Sequence, residues 1–355
     1  MIIAAAGWVS GSETEYNVMV LGDLHYAAPE FYPKPYPRKQ KQIDECIGMW
    51  KHSSPELLHE AGKCAASERA AFVLQLGDLT NGLCENLTDH EKMLRSGFRL
   101  VKTFFPKIPL YGVVGNRDIQ QRNGESFIPA EKALFPLTAA ELGRKNLEHG
   151  NYAFMKGPDL FIAVNSMAAN GSGLDFIRKT LSEHPKTRYV FLLTHCPVFP
   201  AAFVSYLGLI PDHDEITRLL ETRNALVLAA DTHVFSFISR VTPRGKLSQI
   251  IFTSMGNDWN RHPFLSRFFG NDLKVSSDWD EYVRTFRSRL DRKRLPVQLR
   301  QNFENIVRQG KFSAVFFPRK SGFALLRVND RKAVVEIYID GSGKPAQILT
   351  TLENR

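Results

Sequence analysis

Tyr16-Asn17-Val18-Met19-Val20-Leu21-Gly22-Asp23-Leu24-His25 decides how the rest of the chain is read. Its apolar run, closed by Gly22 and followed by two side chains able to bind a metal, reads as a buried strand that stops at a site. Side chains alternate faces along a strand, so residues i and i+2 point the same way. Asp23 and His25 are therefore expected to reach one ion together.

The same punctuation recurs along the chain. Ala71-Phe72-Val73-Leu74-Gln75-Leu76-Gly77 runs into Asp78, and Ile108-Pro109-Leu110-Tyr111-Gly112-Val113-Val114-Gly115 runs into Asn116. Tyr189-Val190-Phe191-Leu192-Leu193-Thr194 runs into His195, and Ala225-Leu226-Val227-Leu228-Ala229-Ala230 into Asp231-Thr232-His233. A single Asp-x-His is weak evidence, because a lone buried histidine is usually a satisfied core residue. Five such sets, in mostly βα order, are hard to assign to packing. Carboxyl ends of strands are where open α/β sheets place their sites.

Composition is compatible with this reading. The 355 residues are 43% apolar, enough for a substantial core. The formal charge of +9 favours anionic partners by long-range attraction, but such a balance more often means only a soluble basic surface, and it falls well short of a polybasic tail that would point to nucleic acid. Cys46, Cys64, Cys84 and Cys196 show neither C-x-x-C spacing nor disulfide-scaffold density, so they are silent about redox compartment. No apolar run approaches the roughly 18 residues of a membrane-spanning helix. The apolar residues 1–9 lack a basic n-region and read either as the clipped end of an export signal with an Ala-rich cleavage zone or as a packed or frayed N-terminus. The first reading tilts the expected location outward, to an exported or periplasmic protein.

In chain order, 26–39 is a proline-rich loop placed to wall a pocket, and 40–71 reads as helix broken near Ser53-Ser54-Pro55, giving a βαβ crossover. Asp89 is expected to cap a helix ending near 105, and a further helix is expected over 130–143. Strands at 151–155 and 160–166 pair around Gly157-Pro158-Asp159. Helices at 174–184 and 214–222 precede the His195 and Asp231 strands. The hairpin 235–253, turning at 242–245, is expected to begin a second sheet, which the strands 313–317, 322–328 and 333–340 complete. A basic segment, 281–309, reads as a solvated helix. No linker or repeat divides the chain, so 16–355 is expected to be one domain behind a short N-terminal segment, 1–15.

The ordered series resembles the calcineurin-like metallophosphoesterase superfamily, whose pattern is D-x-H, G-D, G-N-H-D/E, a later His, and G-H-x-H. Here it stands as Asp23-Leu24-His25, Gly77-Asp78, Gly115-Asn116-Arg117-Asp118, His195 within Thr194-His195-Cys196-Pro197, and Ala230-Asp231-Thr232-His233, spanning roughly 18–256. The resemblance implies a four-layer α/β/β/α sandwich of two mixed sheets flanked by helices. It implies Asp23, His25 and His233 on one metal, Asn116 and His195 on a second, and Asp78 bridging. It also implies a phosphoric ester hydrolase in which a water activated by two divalent ions attacks phosphorus in line.

Two departures matter. Asp231 replaces an imidazole with a harder oxygen donor, which tilts the pair from zinc towards manganese, iron or magnesium. Arg117 stands where the family has the histidine assigned to charge stabilisation or to protonating the leaving oxygen. Arginine stays charged, so it clamps phosphoryl oxygens but supplies no proton. Asp118 is expected to hold it in place. The enzyme is then biased towards good leaving groups, or borrows a proton from Tyr26 or water. The alternative is a degenerate member that binds phosphate-bearing ligands or a protein partner without turnover. A nuclease is a third reading, whose signature is steeply salt-dependent DNA or RNA binding. The purple acid phosphatase branch fits poorly, because its tyrosine ligand would fall at Asn81. Asn81, Cys196 and Asn257 are loop candidates near the pocket.

Overall fold

The opening stretch forms β1 (Tyr16–Leu21) inside the first of two sheets. The computed structural model describes residues 14–32, 39–168, 172–198, 209–233, 235–255, 312–317, 321–339 and 343–354. The expected basic helix at 281–309, the apolar residues 1–9 and Asn257 lie outside the described residues. From β1 the chain passes through α1 (Gln40–Lys51) and α2 (Ser53–Ser67) and returns parallel to β1 as β2 (Phe72–Gln75). The helix pair breaks where the sequence places it, with Pro55 in the first turn of α2, where its missing N–H costs nothing.

α3 (Leu87–Phe104) leads to β3 (Leu110–Gly112), parallel to β2. Its cap is Asn86 and not the expected Asp89: the Asn86 side chain accepts the Asp89 backbone N–H at 2.9 Å. Both are good capping residues, and the hydrogen bond settles which one performs the role. The excursion that follows holds a small ribbon, β4 (Gln120–Gln121) with β5 (Gly124–Glu125), and two short helices, α4 (Ile128–Lys132) and α5 (Leu134–Glu141), where the sequence suggests one.

β6 (Tyr152–Lys156) and β7 (Asp159–Ala163) open the second sheet. α6 (Ser172–Glu183), β8 (Val190–Leu193), α7 (His213–Glu221) and β9 (Ala225–Ala229) follow, then the hairpin β10 (Phe235–Thr242) and β11 (Gly245–Ile251), then β12 (Phe312–Phe317). This sheet runs β12-β10-β11-β9-β8-β7-β6. The chain ends with β13 (Gly322–Val328), β14 (Lys332–Ile339) and β15 (Gln347–Glu353), the last a strand absent from the sequence reading.

Two expectations about the sheets are corrected. The second sheet begins at β6, well before the hairpin, and β13 to β15 do not complete it. They return to the first sheet, whose order is β15-β14-β13-β1-β2-β3, with β13 antiparallel to β1. Both sheets are mixed, and each carries parallel strands next to an antiparallel flank.

Period-two alternation decides the layers. Phe161, Phe191, Leu193, Leu226 and Leu228 belong to the core shared with β1, β2 and α3, whereas Leu160, Ile162, Val190, Leu192 and Val227 join Ile177 of α6 and Ile216 and Leu220 of α7. One face of the second sheet therefore meets the first sheet and the other meets helices, as a strand buried on both sides requires. At the amino ends of the strands the sheets are pinned by Asp159, which is fully buried. It accepts from Tyr16 Oη at 2.8 Å and from Arg188 Nε at 2.9 Å. The opposite, carboxyl ends of β1, β2, β3, β8 and β9 are left to converge on one place.

Candidate metal centre

All seven ligands expected from the sequence meet there. Asp23, His25, Asp78 and His233 offer one ligand atom each within 4.8 Å of one another. Next to them, His195 Nε2 stands 3.0 Å from Asn116 Oδ1, 3.4 Å from Asp78 Oδ1 and 3.6 Å from Asp231 Oδ1. Asp78 belongs to both groups, which is the position of a bridging carboxylate. First-sheet strands supply Asp23, Asp78 and Asn116, and second-sheet strands supply His195 and Asp231, so the cluster straddles the seam between the sheets.

Strand alternation is not what joins Asp23 to His25. β1 ends at Leu21, and His25 has φ 47°, in the left-handed region. Asp78 (φ 52°), Asp231 (φ 67°) and His233 (φ 56°) share that conformation. Each such residue costs roughly 1–3 kcal/mol and persists only where its surroundings over-determine it. Backbone bonds do so here: His25 N donates to Asp78 O at 2.9 Å, and Asp231 N donates to Asp23 Oδ1 at 3.3 Å. Gly77, at φ 95°, must be glycine, because a Cβ there would clash with the His195 side chain.

The orientation of each donor fits a cation. His195 Nδ1 is held by the Leu76 carbonyl at 2.9 Å, which leaves Nε2 to face the oxygens. His25 Nε2 and His233 Nε2 are 3.1 Å apart. Two nitrogens on one ion, each about 2.1 Å from it, stand at that kind of spacing. Asp23 Oδ2 is buried without a hydrogen-bond partner among the described residues. Buried polar atoms are ordinarily satisfied, and an ion would satisfy this group.

Electrostatics agree. Burial pushes the Asp23 carboxyl well up and the flanking Asp78 and Asp231 push it further, against the His195 charge and a backbone hydrogen bond. Burial likewise raises Asp78, and raises Asp231 to about 6. His25 is held well below the ordinary imidazole value by burial and by His233. At His195 burial works downward, but Asp78, Asp23 and Asp231 prevail and raise it to about 9. Three carboxyl groups are thus buried around one another and are costly to ionise together, a cost that bound cations would offset.

Arg117 lies at the edge of the cluster. Its backbone N–H donates to Asp78 Oδ1 at 2.7 Å, and its Nη1 donates to Gln120 Oε1 at 2.6 Å. With its amide oxygen turned to the guanidinium, Gln42 of α1 accepts from Nη2 at 2.9 Å and Nη1 at 3.2 Å. Asp118 does not steady this side chain as the sequence suggests. Its carboxylate accepts the backbone N–H of Gly115 (2.9 Å), Thr80 (2.9 Å) and Leu79 (3.3 Å). Two loops with unpaired N–H groups offer a buried carboxylate stronger partners than one half-buried guanidinium. Asp118 therefore ties the Asp78 loop to the Asn116 loop, and burial, with Asp78 beside it, raises its pKa to about 7.

Gln42 and Gln120 were not found by sequence reasoning, since neither sits in a motif and the Gln42 contact joins α1 to a distant loop. The Tyr26 ring packs edge-on against Trp50 at 5.0 Å and lies against Gly97 of α3, in the apolar wall. Asn81 is buried and bonded to Cys46 Sγ at 3.3 Å, and Cys196 is buried beside Ser166.

Behind Asp118, His90 is fully buried, with Nε2 3.4 Å from Thr80 Oγ1 and Nδ1 against the Gln121 amide. Burial lowers it from the ordinary 6.5 to about 4. The unfolded chain then takes up a proton between those values that the folded chain refuses. Its stabilising contribution is full above pH 6.5 and is lost as pH falls to about 4, at about 1.4 kcal/mol per pH unit, so about 3 kcal/mol in all. Urea midpoints at pH 7 and pH 4.5 should fall less in His90→Gln than in the wild type. Parallel losses would refute it.

Comparison with known proteins follows from this geometry. The sequence profile of the family described as calcineurin-like phosphoesterase matches residues 16–235. No curated protein sequence matches the chain. Among solved structures, a dimetal phosphatase from Danio rerio is similar at a TM-score of 0.52 and 12% identity, covering 95% of this chain and 99% of its own. PhoD is similar at a TM-score of 0.54 and 11% identity, covering 96% of this chain and 68% of its own. At such identities the likeness is one of fold. Among the described residues no helix is long and apolar enough to cross a membrane.

Proposed function

The chain belongs to the calcineurin-like phosphoesterase family, and from that membership we propose that it is a two-metal phosphoric ester hydrolase. Asp23, His25 and His233 would hold one divalent ion, Asn116, His195 and Asp231 the other, with Asp78 shared between them. The observation that carries this reading is the buried, unsatisfied atom Asp23 Oδ2, set in a cluster that gathers three carboxyl groups and three imidazoles.

Bound ions would supply Lewis acidity and an acidified water at neutral pH. The chain supplies the rest. Arg117 N fixes the orientation of Asp78, Leu76 O fixes the tautomer of His195, and Asp118 holds the two ligand loops at their spacing. Arg117 presents a permanent positive charge to phosphoryl oxygens. Asp118 is a positioning residue in this reading and touches no substrate. The oxygen-rich second site, with Asp231 and Asn116, favours manganese or iron over zinc.

A metal-by-substrate screen tests the proposal. Manganese or iron is expected to support hydrolysis of p-nitrophenyl phosphate or its bis-aryl diester, with about two ions bound per chain. Two ions bound with no hydrolysis would favour the non-catalytic binding role motivated by Arg117 and Asp231, and two tightly held zincs would refute the metal preference.

A further inference from the structure

Arg117 is a cation held by neutral groups. Its Nη1 donates to Gln120 Oε1 at 2.6 Å, and the Gln42 amide oxygen accepts from Nη2 at 2.9 Å and from Nη1 at 3.2 Å. Among the described residues it forms no ion pair, although acids stand close by in sequence. Asp44 and Glu45, on the same turn of α1 as Gln42, are exposed. Asp44 accepts from Gln40 at 2.7 Å, and Glu45 lies 3.9 Å from Lys41. A carboxylate on the guanidinium would cancel much of its charge. An amide oxygen orients it and leaves the charge whole.

Both amides stand on anchored backbone. Gln120 belongs to β4, which is zipped to the loop after β2: Leu83 N donates to Gln120 O at 2.8 Å, and Arg122 N donates to Cys84 O at 3.0 Å. Gly82, at φ 59°, passes so close that a Cβ there would clash with the carbonyls of Arg117 and Gln120. Gln42 shares one face of α1 with Cys46 and Trp50, one and two steps of four residues further on. Cys46 Sγ donates to Asn81 Oδ1 at 3.3 Å, in the loop of Asp78, and Trp50 Nε1 donates to Leu24 O at 3.0 Å, between Asp23 and His25. That face of α1 is therefore bonded to the loops of Asp23 and Asp78, and Gln42 reaches Arg117 from a fixed helix.

The bonds decide which edge of the guanidinium is left over. Gln42 spans its end, between Nη1 and Nη2, and Gln120 takes the other Nη1 hydrogen. Nε–H and the second Nη2–H remain, the parallel pair that grips two oxygens of one phosphoryl or carboxylate group. No acceptor among the described residues takes Nε–H. The backbone N–H of the same residue donates to Asp78 Oδ1 at 2.7 Å, so this fork belongs to a residue bonded directly to the ligand cluster.

We propose that Gln42 and Gln120 are positioning residues, neutral acceptors that fix the Arg117 guanidinium before substrate arrives and reserve its Nε–Nη2 edge for two oxygens of the phosphoryl group. The inference rests on the hydrolase reading above and adds to that site two residues from outside its motifs. A free arginine samples many rotamers, and ordering it on binding is unfavourable. Held by amides from two separate elements, it is ordered in advance.

The test is calorimetric titration of the manganese-loaded protein with inorganic phosphate. Methionine in place of glutamine keeps the length of the side chain and removes the acceptor. Gln120→Met and Gln42→Met are each expected to weaken phosphate by about 3- to 10-fold, the usual effect of ordering one long side chain on binding. Where Arg117→Ala is already present, each is expected to weaken it by no more than about twofold, because residues in one hydrogen-bond network couple and independent ones add. Gln120→Glu keeps an acceptor but brings a charge, and is expected to weaken phosphate at least as much as Gln120→Met. Equal weakening with and without Arg117, no weakening by either methionine, or wild-type affinity in Gln120→Glu overturns the proposal, as does a wild type that binds no phosphate. Turnover of p-nitrophenyl phosphate by the same wild-type preparation is read separately. Turnover beside any of those contrary titrations leaves the hydrolase reading standing without the two glutamines. Phosphate bound in the expected pattern without turnover removes the hydrolase reading and keeps the positioning of Arg117.

Discussion

Asp78→Asn is expected to lower hydrolysis by about 10³-fold or more and to reduce bound metal from about two ions per chain to one or fewer. Asp78, the carboxylate proposed to bridge the ions, lies with His25 and His233 on one side and 3.4 Å from His195 Nε2 on the other. Several kcal/mol of transition-state charge stabilisation would depend on ions bound there, and each 1.36 kcal/mol is tenfold in rate. Asparagine keeps the shape and keeps an oxygen to accept the Arg117 N–H, now made at 2.7 Å, so the loop has no reason to rearrange. Stability should move the opposite way. Burial raises the Asp78 pKa in the fold, so the folded chain binds a proton more tightly than the unfolded one, and the ionised carboxylate destabilises the metal-free fold above its ordinary pKa of 3.8. The neutral amide removes that penalty. In chelator-treated protein at pH 7, Asp78→Asn is therefore expected to raise the urea midpoint while activity disappears, the pattern of a residue kept for function at a cost in stability. Activity that survives the substitution would belong to a contaminant or to another site.

What the sequence made legible follows one physical rule. Strands buried on both faces read as continuous apolar runs, and Gly-Asp or Gly-Asn at their ends is conspicuous because nothing apolar follows. The candidate ligands Asp23, Asp78 and Asn116 stand out that way, and His195 and Asp231 as metal-binding side chains that close similar runs without a glycine. Sheet membership was not, because β13 pairs with β1 from the far end of the chain and its sequence carries no mark of its partner. β15 was missed because Gln347-Ile348-Leu349-Thr350-Thr351-Leu352-Glu353 buries an irregular set of positions after a register shift in its pairing with β14. The joint reach of Asp23 and His25 was anticipated for the wrong reason, since a left-handed residue and not strand alternation turns His25 inward. Asp118 was assigned to its sequence neighbour Arg117, whereas its bonds run to Thr80 and Leu79 across the site. Local spacing reports which residues a loop carries, and tertiary hydrogen bonding decides what each of them holds.

Arg117→His should do the reverse of a knockout on the right substrate. With arginine at 117 the leaving oxygen receives no proton from that position, because the guanidinium stays charged at any pH the enzyme survives. Imidazole does donate, and general acid catalysis is worth roughly 10²–10⁴-fold when the donor is well placed. The backbone that carries residue 117 is fixed independently of the side chain, through the Arg117 N–H bond to Asp78 and the Gly115 bond to Asp118, so a histidine there starts from a defined position beside the cluster. An alkyl phosphate, on which the wild type is expected to be slow, should turn over about 10²-fold faster in Arg117→His, at the low end of that range because Gln42 and Gln120 are spaced for a longer side chain. The gain should fade as pH rises past the new imidazole's pKa, near 6.5 if unperturbed, a limb the wild type lacks. Arg117→Lys keeps the charge and offers no acid near neutrality, so it should show neither the gain nor the limb. Aryl and anhydride substrates, which leave without a proton, should lose rate in Arg117→His through the missing positive charge. If instead Arg117→His slows the alkyl phosphate as well, the arginine is not standing in for an absent acid, and its part in the reaction is charge neutralisation for every substrate the site accepts.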